Sequence, residues 1–269
     1  MSNNRKAMGQ GYMEALGLQS SELTVEFLNR LQSRHISQFS FNSLGVVLGQ
    51  ELPLDLPSLF DKIVVKGRGG YCFEHNKLIY NLLEEWGFTV RLLLARVTYN
   101  RNIDSPRTHR ISLVTIANEQ FVVDGGFGNL GARQPVKFEL GLEQVQGDEC
   151  FRIIEGDQGI YHYQILKDND FFTLYTFDKN HYSEADCMVG HFYSHCHPDA
   201  AFVNNLVVCR KHRNVIHSLR NDELHCVDSG VTSITKLVDS QALHEKLTDI
   251  FELEVDIAIS EFLFSKFCT

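Results

Sequence analysis

Residues 67–76 read Gly67-Arg68-Gly69-Gly70-Tyr71-Cys72-Phe73-Glu74-His75-Asn76, and the segment changes character halfway along. The glycines let the backbone turn sharply and leave room for a close approach. Beyond them Leu78, Ile79, Leu82, Leu83 and Trp86 recur at helical spacing and stop at Gly87, which predicts an amphipathic helix starting near Cys72. The N–H groups and positive dipole end of such a helix favour thiolate over thiol. The same N–H groups can hold a developing oxyanion. A free cysteine is also a common small core residue, so this pattern alone leaves both readings open.

A thiol nucleophile needs a base, and the base needs a group to orient it. His109 lies 37 residues after Cys72, just before a β-rich run, Ile111–Ile116. Asp124 lies a further 15 residues on, after the run Phe121–Val123. A hairpin turning at 118–120 brings both side chains to one end of a sheet. Taken singly, a histidine before a strand and an aspartate before Gly125-Gly126 are ordinary; the ordered trio is what suggests covalent acyl chemistry.

Outward from this centre the chain divides by period. Upstream, Leu23, Phe27, Leu28 and Leu31 follow Ser20 and Ser21, which read as caps, and a helical turn or two is expected over 58–65. Downstream, 90–99, 111–116, 121–123, 136–139, 151–154, 160–166 and 171–177 are rich in β-branched and aromatic residues and are separated by polar turns. They predict an antiparallel barrel or sandwich. Past residue 200 a strand is expected over 202–208 and a helix over 241–251. Helices, then antiparallel strands, then a mixed region make an α+β chain.

Twenty-five Lys and Arg stand against 34 Asp and Glu, which disfavours general nucleic-acid binding. The N-terminus lacks a signal-peptide core, no apolar run is long enough for a membrane span, and the seven cysteines show no paired spacing. These features predict a cytoplasmic protein with reduced thiols and no membrane association. His191, His195, Cys196 and His197 match no metal-binding spacing, so no metal is expected. Two basic clusters, Arg210-Lys211-Arg213 and Lys66 with Arg68, are candidates for binding phosphate, although such clusters are more often solvated faces.

The segment 68–76 resembles the R-G-G-x-C-x-E-x-N motif of the arylamine N-acetyltransferases at every fixed position. Arg107-Thr108-His109 is similar to the family's R-T-H, and Asp124-Gly125-Gly126-Phe127-Gly128 to its D-V-G-F-G, with Gly125 in place of valine. Phe41-Asn42-Ser43-Leu44 stands where the family has F-E-N-L, and His197-Pro198 with 202–210 resembles the start of its third domain. The likeness runs from about residue 10 to 210.

The resemblance implies a helical bundle over 1–87, a β-barrel over 88–198 and an α/β lid over 199–269. It implies catalysis by Cys72, His109 and Asp124 through an acetyl-cysteine, in the manner of a cysteine protease. Acetyl-CoA would be the cosubstrate, with no permanently bound cofactor. Arylamines, arylhydrazines or N-hydroxyarylamines would be the acceptors, a xenobiotic-metabolising role. Phe41, Val97, Phe127 and Phe202 would line the acceptor pocket, and Gly126 and Gly128 would let the pantetheine arm approach. Asn42 replaces the family's glutamate, which pairs with the motif arginine, so Arg68 lacks that partner. Amide synthesis or hydrolysis through the same triad, and a silent binding protein of the same fold, are the competing readings.

Overall fold

A computed structural model describes residues 2–101, 103–212 and 214–268. The first stretch is helical: α1 (Ser2–Ala15), α2 (Val25–Gln38), the two-residue strand β1 (Phe41–Asn42), α3 (Leu44–Val47), α4 (Leu56–Phe60) and α5 (Cys72–Glu85). Thr24, not Ser20 or Ser21, caps α2, its hydroxyl accepting from Phe27 N–H at 3.2 Å. The turns expected over 58–65 are the end of α4 and a π-helical turn, Asp61–Val65. On α2 the buried stripe is Phe27, Leu28, Leu31, Gln32 and His35, an apolar face that admits two polar residues.

Eight strands follow: β2 (Thr89–Val97), β3 (His109–Ile116), β4 (Glu119–Val123), β5 (Val136–Lys137), β6 (Gln144–Gln146), β7 (Glu149–Glu155), β8 (Tyr161–Lys167) and β9 (Asp170–Phe177). They form one antiparallel sheet in the order β5-β4-β3-β2-β9-β8-β7-β6, which accounts for all seven sequence-predicted strands and adds β6. The edge strands β5 and β6 meet through a side chain. Gln144 Oε1 accepts from Lys137 N–H at 2.7 Å, and its Nε2 donates to the Lys137 carbonyl at 3.0 Å. The sheet is therefore a nearly closed barrel, filled by Leu93, Ile111, Leu113, Phe151, Ile153, Leu174 and Tyr175.

Two helices, α6 (Glu184–Cys196) and α7 (Ala201–Asn204), lead to β10 (Val207–His212), β11 (Val215–Arg220), β12 (Glu223–Asp228) and β13 (Val231–Lys236), then α8 (Ser240–Asp249) and α9 (Ile257–Phe267). The strand expected over 202–208 is thus a correction. Its first half is helical, because Ala200 opens a short helix at Ala201, and the strand starts at Val207. The last sheet runs β1-β10-β11-β12-β13. Phe41 pairs with Cys209, so this sheet takes its edge strand from the N-terminal helical region.

Candidate active site

Gly69 fixes the turn that leads into Cys72. It has φ +58°, and a Cβ there would sit 1.9 Å from the Ser40 carbonyl, so only glycine fits. Glu74 then steadies the first turn of α5. Its carboxylate accepts from Tyr71 N–H at 3.2 Å and pairs with Lys62 Nζ at 2.6 Å. Cys72 is consequently the first residue of α5, only 3% exposed, and its thiol donates to the Thr108 carbonyl at 3.5 Å.

The neighbouring hairpin supplies the other two groups. Strands β3 and β4 pair Ile116 with Glu119 through Ala117 and Asn118, both with positive φ, a left-handed pair that suits a tight hairpin. His109 opens β3 and Asp124 follows β4, and their side chains meet with Nε2 to Oδ2 at 2.7 Å, both buried. The structure therefore brings Cys72, His109 and Asp124 into one place, as the spacing predicted.

The carboxylate is held tightly. Asn76 Nδ2 donates to its other oxygen at 2.8 Å, the Gly126 N–H reaches that oxygen at 3.2 Å, and Gln32 Oε1 accepts from the Asp124 N–H at 3.0 Å. Neither amide was given a role from sequence. Asn76 stood in the motif without a chemical reason, and the signal for Gln32 was a polar residue on the apolar stripe of α2. Burial, then the charge of Asp124, pushes the Cys72 thiol well up, against backbone N–H groups of Phe73 and Arg110 that pull it down. Those N–H groups favour the thiolate, as the sequence predicts, while burial opposes it, so the thiol proton needs a base to receive it.

A cavity of about 720 Å³ opens on Cys72 and His109, a volume typical of small-molecule sites. All four predicted pocket residues, Phe41, Val97, Phe127 and Phe202, line it, as do Gly126 and Gly128. Sequence reading missed Tyr99, Phe172 and Tyr193, which also line it, and two cations, Arg101 and Arg220. A Cβ at Gly126 would lie 3.1 Å from the Cys72 Cα, so the missing side chain there lets α5 approach.

The predicted basic clusters are engaged elsewhere. Buried Arg210 donates to the Ser37 carbonyl and pairs with Glu252 at 2.6 Å. Buried Lys211 pairs with Glu149 at 2.8 Å. Arg213 lies outside the described residues, and Lys66 pairs with Asp61 at 2.5 Å. Asn42 donates to the Arg68 backbone carbonyl at 2.9 Å, while the exposed Arg68 side chain makes no ion pair among the described residues. The histidines at 191, 195 and 197 sit on or just after α6. His191 hydrogen-bonds Tyr71 and the Leu52 carbonyl, and no group of three potential ligands is close enough for a metal among the described residues. No helix among them is long and apolar enough to cross a membrane.

A family model described as N-acetyltransferase matches residues 24–260. The arylamine N-acetyltransferase of Escherichia coli is 33% identical over 193 residues, covering 71% of this chain and 68% of that protein. That of Mycolicibacterium smegmatis is 30% identical over 253 residues, covering 91% of each. The solved Mycobacterium marinum arylamine N-acetyltransferase superposes with a TM-score of 0.91 at 28% identity, over 97% of this chain and 100% of that one. The same enzyme in complex with CoA matches equally, at 0.91. Sequence and architecture agree: the chain belongs to the arylamine N-acetyltransferase family.

Proposed function

We infer that this protein moves an acetyl group from acetyl-CoA to the nitrogen of an arylamine or arylhydrazine, or to the oxygen of an N-hydroxyarylamine. The observation that carries the reading is the buried His109–Asp124 hydrogen bond of 2.7 Å together with a buried cysteine that lines the same aromatic-walled cavity as His109. Cys72, His109 and Asp124 are the proposed reacting and orienting groups. Because His109 Nε2–H donates to Asp124, the lone pair of the neutral ring is on Nδ1, free to take the thiol proton.

The sulfur then attacks the thioester carbonyl, and the Cys72 backbone N–H stabilises the oxyanion by about 3 kcal/mol, the scale of one such donor. Collapse expels the CoA thiolate, which takes the proton from His109, and leaves acetyl-Cys72. In the second half an amine attacks that thioester, His109 removes the amine proton, and the Cys72 sulfur departs. An aromatic amine suits this scheme because it is unprotonated at neutral pH, and Phe41, Val97, Phe127 and Phe202 offer it an apolar wall. For the phosphates of the donor we propose Arg101 and Arg220, cavity cations that form no ion pair among the described residues.

The test is CoA thiol release from acetyl-CoA with an arylamine or arylhydrazine, for wild type beside Cys72→Ala. Acceptor-dependent release that disappears in the variant is the expected outcome. Undiminished release from Cys72→Ala would overturn the assignment of the nucleophile.

A further inference from the structure

Beneath the Asp124 loop lies a chain of buried polar groups that the reaction above does not use. Tyr12 Oη is 2.6 Å from His35 Nδ1, His35 Nε2 is 2.8 Å from His75 Nδ1, and His75 Nε2 is 3.3 Å from the Ser40 carbonyl. All three side chains are buried. One proton arrangement satisfies every atom. The Tyr12 hydroxyl donates to His35, His35 Nε2–H donates to His75, and His75 Nε2–H donates to the carbonyl. That arrangement requires both rings neutral, and burial holds both pKa values below the ordinary range, His75 at about 4.

The pair lies directly against the loop that carries the carboxylate. A Cβ on Gly125 would be 3.0 Å from His35 Cδ2, and a Cβ on Gly126 would be 3.1 Å from the His75 Cβ. The two rings cross nearly at right angles, 87°, with centroids 4.8 Å apart. Their neighbours on the same helices complete the clamp. Gln32, one turn before His35 on α2, accepts from the Asp124 N–H at 3.0 Å. Asn76, next to His75 on α5, accepts from the Gly125 N–H at 2.9 Å. His75 also stacks on Phe41 at 6.4 Å, which lines the cavity.

We propose that His35 and His75 are positioning residues for the triad, a neutral hydrogen-bonded floor that locks α2 to α5 and so fixes Asp124 against His109. This rests on reading Cys72, His109 and Asp124 as the reacting set. Apolar side chains of similar bulk would fill the space but leave the Tyr12 hydroxyl or the remaining ring nitrogens unpaired, and the Ser40 carbonyl with only its longer bonds from Gly70 N–H and Asn42 Nδ2, both 3.4 Å. The loop would then have a second resting position, and small misplacements of catalytic groups are costly.

The experiment compares His75→Leu, His75→Gln and Tyr12→Phe with wild type. Cys72 alkylation by iodoacetamide is followed at pH 7 on the Cys72 peptide by mass spectrometry, alongside kcat and KM for acetyl-CoA. Glutamine can accept from His35 and donate to Ser40; leucine can do neither. His75→Leu is expected to slow Cys72 alkylation and kcat about ten-fold with KM within two-fold of wild type. His75→Gln should recover most of that loss, and Tyr12→Phe, which keeps the ring and so the packing, should lose two- to three-fold. Wild-type alkylation rates in His75→Leu and Tyr12→Phe would overturn the proposal, as would equal losses in the leucine and glutamine variants at unchanged melting temperature. If wild type transfers no acetyl group yet the alkylation series holds, the acceptor reading fails and the positioning role stands. Intact acetyl transfer with a flat alkylation series means the reverse.

Discussion

Asn76 Nδ2 lies 2.8 Å from Asp124 Oδ1, while the other carboxylate oxygen receives His109 Nε2 at 2.7 Å. The same amide donates to the Arg110 carbonyl at 2.6 Å and accepts from the Gly125 N–H at 2.9 Å. One side chain on the helix that begins at Cys72 thereby fixes the strand that carries His109 and the loop that carries Asp124.

Removing it should cost stability and rate together. Asn76→Ala leaves a buried carbonyl and N–H without partners and is expected to destabilise by about 2–6 kcal/mol, at about 1–3 kcal/mol for each unpaired group. Asp124→Asn, which cannot hold the imidazole in the same tautomer, should lower kcat by about 10⁴ with less effect on stability. Urea melts beside single-turnover acetylation of Cys72 separate the two; equal rate losses at unchanged stability in both variants would contradict the assigned roles.

Acid should weaken the fold in two windows. His75 and His191 titrate near 4 in the folded protein because burial disfavours their charged forms, and His35 is lowered for the same reason. An unfolded histidine takes its proton near 6.5, so below about 6.5 and down to about 4 the unfolded chain binds more protons and stability drops as the pH is lowered. For His75 this amounts to about 3 kcal/mol. Burial raises the Glu184 carboxyl, but hydrogen bonds from Arg110 and Lys77 win and hold it down at about 2. Its contribution is present above its unfolded value near 4.5 and is lost between there and about 2. Melting temperatures from pH 7.5 to 4.5 should decline steadily, and less steeply in His75→Gln; a flat profile would contradict the neutral buried histidines.

Lys211 is fully enclosed with Glu149 at 2.8 Å and joins β10 to the barrel. Glu149→Ala strands that ammonium and should destabilise by about 3–5 kcal/mol. Lys211→Met combined with Glu149→Leu removes both charges and should recover most of the loss. Chemical denaturation of the two variants decides it, and an intact Glu149→Ala would mean that water reaches Lys211.

Arg220 borders the cavity, held by Asn205 Oδ1 at 3.2 Å. If it meets a donor phosphate, Arg220→Ala should raise KM for acetyl-CoA several-fold and leave KM for the amine near wild type, with a weaker salt dependence than the wild-type enzyme. The opposite pattern, an amine KM that moves alone, would place Arg220 with the acceptor.

Periodicity was legible wherever one face of an element is buried. Strands β2, β3 and β4 and helix α5 follow from their apolar spacing, and with them the convergence of Cys72, His109 and Asp124. Elements whose side chains are mostly exposed carried no such signal, which is why β13, exposed along its whole length, went unread. The 202–208 segment misled because its apolar residues, Phe202, Val203, Leu206, Val207 and Val208, serve a short helix and a strand in succession. Basic residues misled for another reason: sequence reports charge but not its partner, and Arg210 and Lys211 find theirs in Glu252 and Glu149, 42 and 62 residues away. The support of Asp124 was hidden likewise, since Gln32 reaches it across 92 residues.

Strand β1 is two residues long, yet Phe41 pairs with Cys209 and the Asn42 N–H donates to the Gly70 carbonyl at 2.7 Å. The segment beside Cys72 is thus stitched to the last sheet, which carries none of Cys72, His109 and Asp124. A chain cut before residue 207 would retain cysteine, histidine and aspartate, yet would have no partner for the strand that sets Phe41 in the cavity wall. Heat inactivation should accordingly be all-or-none, with no surviving fragment that keeps a reactive thiol inside a shaped pocket.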